Sequence, residues 1–180
     1  ITAGLRVDGN SAFGDSLGLQ AYPKVSASYI LSDEDFWSDA LGQVKLRAAW
    51  GQSGRAPGAF DAVRTYNPVG WGNVPAFFPA NVGNADIGPE RTSEIEFGFD
   101  GSFFDSRLTA DFTWYNQRTT DALFNVRQTP SNGFLSSQLA NVGEMKNTGI
   151  ELALNATVLQ SESFSWDFGG SIATNNSEVL

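Results

Sequence analysis

Residues 93–118, SEIEFGFDGSFFDSRLTADFTWYNQR, alternate apolar and polar side chains in two runs broken at Asp105-Ser106. Ile95, Phe97, Phe99 and Phe103 share one face of the first run, and Glu94, Glu96, Asp100 and Ser102 share the other. In the second run Leu108, Ala110, Phe112 and Trp114 oppose Thr109, Asp111, Thr113 and Tyr115. Period-two alternation is the mark of a β-strand with unlike faces, so the segment reads as a hairpin that is apolar on one side and wet on the other. Its length is the stronger constraint. About twelve residues at roughly 3.3 Å each reach about 40 Å, enough to cross a bilayer's hydrocarbon when tilted by about 40°.

Five further stretches alternate in the same way: 1–8, 22–32, 43–51, 149–158 and 164–173. In 149–158, Ile150, Leu152, Leu154, Ala156 and Val158 form the apolar set. No charge falls on the apolar face of any of the seven strands, as lipid contact requires, since Lys or Arg there costs roughly 2–4 kcal/mol at the midplane. The connections sort by parity. Those at 33–42, Asp105-Ser106 and 159–163 read as short, and those at 9–21, 52–92 and 119–148 as long. An up-and-down meander puts alternate connections on the same side, so the short turns gather at one end and the long loops at the other. Phe36, Trp37, Phe103, Phe104, Phe164 and Trp166 fall toward the short-turn end, and Trp50, Trp114 and Tyr115 toward the long-loop end, in two aromatic bands. The expected fold is all-β: an antiparallel up-and-down transmembrane barrel, of which this chain is an arc of about seven strands.

Composition removes other classes. The 180 residues contain no cysteine and no histidine, which excludes disulfide scaffolds, Cys/His zinc sites and His-based triads. A net charge of −9 argues against a nucleic-acid partner. No apolar run is long enough for a transmembrane helix, and a mean hydropathy of −0.20 does not weigh against a barrel, whose strands place only alternate residues in lipid. No signal peptide is seen, and the chain opens and closes within alternating runs, so it reads as a piece of something longer.

From Gly83 the string GNADIGPERTSEIEFGFDGSFFDSRLTADFTWYNQRTTDALFNV resembles the barrel of TonB-dependent outer-membrane receptors of the SusC/RagA type. That family has a GNxxLxxExT-like lead into a strand, a short FFxxRL turn and an aromatic YNxxTxDL exit; Ile87-Gly88 stands where it often has leucine and a basic or polar residue. NVGEMKNTGIELALNA, from Asn141, is similar to the family's NVGxxxNxGxE lead, and YPKVSASYILSDE and VKLRAAWGQSG resemble earlier strands. The ordered set covers most of the chain, more weakly across 53–82. The resemblance implies a barrel of about 22 strands around a plug, in the outer membrane of a Gram-negative bacterium. It implies TonB-dependent uptake of oligosaccharides or peptides, with a SusD-type surface lipoprotein and the TonB complex as partners. Residues 1–180 would then be a partial barrel without plug or TonB-contacting segment, with a long extracellular loop at about 52–92. No enzymatic activity, cofactor or metal is expected.

Two groups of residues are singled out. On the wet face Lys45, Arg47, Glu94, Glu96, Asp100, Asp111 and Glu151 are expected to line the lumen and face the plug. Glu94 and Glu96, two apart on one strand, could suggest acid–base hydrolysis, but nothing completes a catalytic set, and pore lining is the plainer reading. In the loop 52–92, which holds five of the seven prolines, Arg55, Arg64, Tyr66, Trp71, Phe77 and Phe78 are candidates to hold a sugar or peptide, or to pack the loop against itself, the plug or the lipoprotein. Loop 119–148, with Phe124, Phe134 and an Asn132-Gly133 turn signal, is second. The acidic turn Asp33, Glu34, Asp35 and Asp39 lacks the spacing of a calcium loop, and Asn155-Ala156-Thr157 is a glycosylation triplet only in form, lying inside a strand. Two other readings fit alternation alone: a secreted soluble β-sandwich that binds carbohydrate, and a passive porin-like barrel without a plug.

Overall fold

The computed structural model describes residues 1–14, 18–38, 41–134 and 136–180, apart from the side chains of Trp71 and Asn132. Eleven strands are formed: β1 (Thr2–Asp8), β2 (Gln20–Ile30), β3 (Gln43–Arg55), β4 (Thr65–Trp71), β5 (Val74–Asn81), β6 (Glu90–Phe103), β7 (Leu108–Thr120), β8 (Leu123–Val126), β9 (Gln138–Asn141), β10 (Met145–Gln160) and β11 (Ser165–Val179). Seven make one antiparallel sheet in the order β1-β2-β3-β6-β7-β10-β11; β4-β5 and β8-β9 are separate two-stranded pieces. The seven expected strands are thus present as a meander. Both small sheets lie in connections that the alternation left without structure.

Register keeps the two faces apart. Phe97 pairs with Trp114 and Phe99 with Phe112, and Leu152 continues that row on β10 and Ile172 on β11. The first two pairs stack at ring-centroid separations of 5.9 and 5.7 Å. Along β6 the apolar set runs from Ile95 to Phe103, about 26 Å of strand and roughly 20 Å of height at a 40° tilt, near the ~25 Å band of a membrane barrel. This face lies open: Phe97 is 48% exposed and Phe168 61%. A soluble sandwich would cover it with a second sheet, and among the described residues none packs there. The described residues therefore form no sandwich by themselves.

Strands extend beyond the apolar band at the long-loop end. Arg91, Ser93, Asn116, Arg118, Lys146, Asn176 and Glu178 have the same parity as the band, yet are polar. There the barrel wall is wet on both faces, so alternation vanished from the sequence although the ladder continues. Three other expectations change. Tyr115 sits opposite Glu96 on the wet face and is no part of an outer aromatic band. Val158 falls at a β-bulge, and Leu159, not Val158, pairs with Trp166. The loop contrast rests on 56–89 and 121–144 against 104–107 and 161–164, because 9–19 is no longer than 31–42. Asp39 of the acidic turn lies outside the described residues.

The most deeply buried apolar residues are mainly away from the wall. Ala12, Phe13, Ile87, Ala122 and Phe134 are buried, Ile87 at 0% exposure, and all five belong to the three long-side connections.

Candidate functional site

All seven wet-face candidates share one side of the sheet. Lys45 pairs with Asp100, and Asp100 with Asp111 on the next strand. Two carboxylates directly opposite each other repel. Arg47, one step along β3, relieves this: its Nη2 donates to both Asp111 oxygens at 3.1 and 3.2 Å and to Thr113 Oγ1 at 3.2 Å. Its Nε stands 2.8 Å from Asp100 Oδ1, an ion contact out of line for a hydrogen bond, since that nitrogen has no hydrogen-bond partner. Lys45 Nζ lies 3.3 Å from Asp100 Oδ2. Small residues Ser26, Ala49 and Gly98 leave a shallow depression beside Arg47, with Glu96 and Thr113 on its rim.

A second group lies higher on the same face. Gln117 Nε2 donates to Glu94 Oε2 at 2.5 Å, and Asn147 Nδ2 donates to Gln117 Oε1 at 3.0 Å, which ties β6, β7 and β10 together. Among the described residues Glu94, Glu96 and Glu151 have no ion pair, whereas Asp100 and Asp111 do. The wall therefore offers a neutralised cluster low down and a net-negative strip above it. No group of three or more metal-ligating residues forms among the described residues.

The loop candidates are distributed differently. Tyr66, Phe77 and Phe78 stand on the β4-β5 hairpin, and Phe77 is 75% exposed. Tyr66 pairs with Pro79, Pro68 with Phe77 and Gly70 with Pro75, so the two broad sides of the hairpin bear different residues. Trp71 closes the hairpin against Val74; its side chain lies outside the described residues. The two-residue turn is Gly72-Asn73, with φ of 56° and 65°, the left-handed pair of a type I′ turn. Gly-Asn is a hairpin-turn dipeptide, a signal that reading by alternation passed over, and the long loop expected at about 52–92 is a connection spanning 56–89 that contains this hairpin. Arg55 continues β3 and lies 3.7 Å from Glu90. Arg64 donates through Nε to Val82 O and lies over the Phe134 ring at 5.5 Å, so it braces the loop base and does not join Phe77 and Phe78.

Sequence reasoning missed the loop base. Gly14 N–H donates to Ile87 O at 2.8 Å, and a Cβ on Gly14 would come within 2.0 Å of Ala85 O, so the first loop is pressed against the second. Asn84, Gln138 and Asn141 hydrogen-bond across the loops. Asn84 and Asn141 are the asparagines of the GN and NVG motifs, which was the available signal.

A sheet of this length, apolar on one side and polar on the other, with loops gathered at one end, defines the wall of a membrane β-barrel. Residues 1–179 match the family described as TonB dependent receptor-like, beta-barrel, and the chain belongs to it. It is 33% identical over 184 residues to the TonB-dependent receptor P39 of Formosa agariphila, covering 100% of this chain and 18% of that protein. To the TonB-dependent receptor SusC of Bacteroides thetaiotaomicron it is 26% identical over 188 residues, covering 97% and 18%. It superposes on the RagAB peptide transporter with a TM-score of 0.89 at 26% identity, covering 98% of this chain and 20% of that one. For the RagAB peptide importer in the open-open state the TM-score is 0.83 at 27% identity. The chain thus spans about a fifth of the length of these relatives. Members of the family are outer-membrane β-barrels of Gram-negative bacteria.

Proposed function

We propose that this chain is part of the wall of an outer-membrane receptor that imports large nutrients, oligosaccharides or peptides, by TonB-dependent transport. The observation that carries the proposal is the apolar band from Ile95 to Phe103, on a sheet that superposes on a peptide transporter over nearly its whole length. The band faces lipid. The opposite face lines the pore, where Lys45, Arg47, Glu94, Glu96, Asp100, Asp111 and Glu151 hold a plug supplied elsewhere in the protein. The long-loop end is extracellular. There the exposed aromatics Tyr66, Phe77 and Phe78 are the ligand-facing candidates, while Arg55, at the end of β3 beside Glu90, and Arg64, at the loop base, serve to hold the loop in place. A surface lipoprotein of the SusD type and the TonB complex are the proposed partners. The proposed role is passage, with no chemistry on the substrate.

The test is uptake and assembly of the full-length receptor in the outer membrane. Combined Tyr66→Ala, Phe77→Ala and Phe78→Ala substitution should leave the barrel folded, as read by its heat-modifiable mobility, while weakening ligand binding or uptake at least about tenfold, the worth of a few lost aromatic contacts. Unaltered uptake would remove the hairpin from the ligand path.

A further inference from the structure

Three uncharged amide side chains join the two long connections at their roots. Asn141, at the end of β9, accepts the Gly88 N–H through Oδ1 at 2.7 Å and donates through Nδ2 to Gly88 O at 2.9 Å. The carboxamide thereby stands in for a peptide group, satisfying both sides of a backbone unit that belongs to another loop. The same Nδ2 donates to Asp121 O at 2.8 Å, where the chain leaves β7 with a left-handed Asp121 (φ 54°). Asn84 Nδ2 donates to Leu139 O at 3.2 Å, and Gln138 Nε2 returns a bond to Gly83 O at 2.5 Å. Near the foot of the hairpin, Ser136 Oγ donates to Ala80 O at 2.9 Å, and Leu123 N–H donates to Glu90 Oε2 at 3.2 Å. Ile87 is buried beside this clasp, and Gly88 and Pro89 after it are buried too.

We propose that Asn84, Gln138 and Asn141 are positioning residues that lock the connections 56–89 and 121–144 into one body, so that the β4-β5 hairpin is presented on a fixed base and the two loops loosen together or not at all. Backbone groups buried without partners are costly, so losing Asn141 leaves the buried Gly88 N–H and C=O unpaired on one loop and at the same time cuts the tie to the exposed Asp121 carbonyl on the other. Because the three amides carry no charge, the lock is insensitive to ionic strength, unlike the Arg55–Glu90 and Arg118–Glu144 pairs, whose arginines are exposed. The proposal rests on the reading of these loops as the ligand-facing surface only for its purpose; the lock itself is read without ligand.

The experiment is hydrogen exchange by mass spectrometry on the full-length receptor in detergent. Asn141→Ala should speed exchange about tenfold or more in 83–90 and in 121–124 together, while 95–103 in the wall is unchanged. Asn141→Asp should be no better than alanine, since it loses both donations and sets a carboxylate against two carbonyl oxygens; a residue that merely filled space would tolerate aspartate. Should Asn141→Ala disturb the wall as well, Asn84→Ala, which removes a single inter-loop bond, must still give a paired rise in both segments. In 1 M salt the wild-type protection should hold. A rise confined to one loop, recovery with aspartate, or loosening by salt would each overturn the proposal. Paired loosening with unaltered uptake would leave the lock standing and count against the ligand-facing reading alone.

Discussion

The wall and the loop cluster bury opposite things. On β6 and β7 the large side chains Phe97, Phe99, Phe112 and Trp114 stand on an open face, and the polar side carries ion pairs. In the connections Ile87 and Phe13 are enclosed, and backbone groups are answered by side-chain amides. The wall takes its apolar solvent from outside the protein, in lipid. The loops stand in water and must build a core of their own. One chain thus follows two folding rules, and the changeover comes within two residues of Ile95, where Ser93 and Arg91 keep the outward parity but not the apolar character.

The largest expected effect breaks the wall. A lysine at Phe97, Phe112 or Leu152 places charge in the middle of the band, at about 2–4 kcal/mol each, and should stop outer-membrane assembly. Glu96→Gln and Asp111→Asn, on the other face, should assemble, and equal tolerance of the two faces would remove the distinction. Next, Ile87→Ala opens a cavity in the loop core at about 2–5 kcal/mol. It should unlock the loops in exchange measurements while the heat-modifiable mobility of the barrel stays as in the wild type. A smaller effect is expected of Arg47→Met, which leaves Asp100 and Asp111 facing each other. These groups are more than a third exposed, so about 1 kcal/mol or less is expected, with recovery on adding Asp111→Asn, read as the denaturation midpoint. The smallest is Arg55→Ala, whose side chain is 80% exposed and which should alter neither region measurably in the same assays.

The wall was legible because period-two alternation is enforced residue by residue when one face meets lipid. That held for Ile95 through Phe103 and for Leu108 through Trp114, and it failed where both faces turn wet, at Asn116 to Thr120 and Met145 to Thr148. The bulge at Val158 was hidden for a different reason: Val158 and Leu159 are both apolar, so the pattern could not say which of them faces outward. Polar-face residues such as Lys45 and Asp100 could be assigned to a shared face from parity, but the reach of Arg47 across two strands depended on register that no spacing reveals. In the loops the informative residues were small polar ones. Asn84 and Asn141 carry no periodicity, and their partners Leu139 and Gly88 lie more than fifty positions away.

The central claim is that one face of β6 meets lipid from Ile95 to Phe103 and water beyond it. Residues 1–180 contribute no cysteine, so single cysteines from residue 90 to 103, placed in a full-length receptor freed of any other cysteine, can carry a spin label, whose collisions with oxygen and with a water-soluble nickel chelate are then compared. Labels at Ile95, Phe97, Phe99 and Phe103 should favour oxygen, and those at Glu94, Glu96 and Asp100 the chelate. Labels at Arg91 and Ser93 should favour the chelate despite sharing parity with Phe97. Chelate access at 97 and 99 equal to that at 96 and 100 would contradict the account.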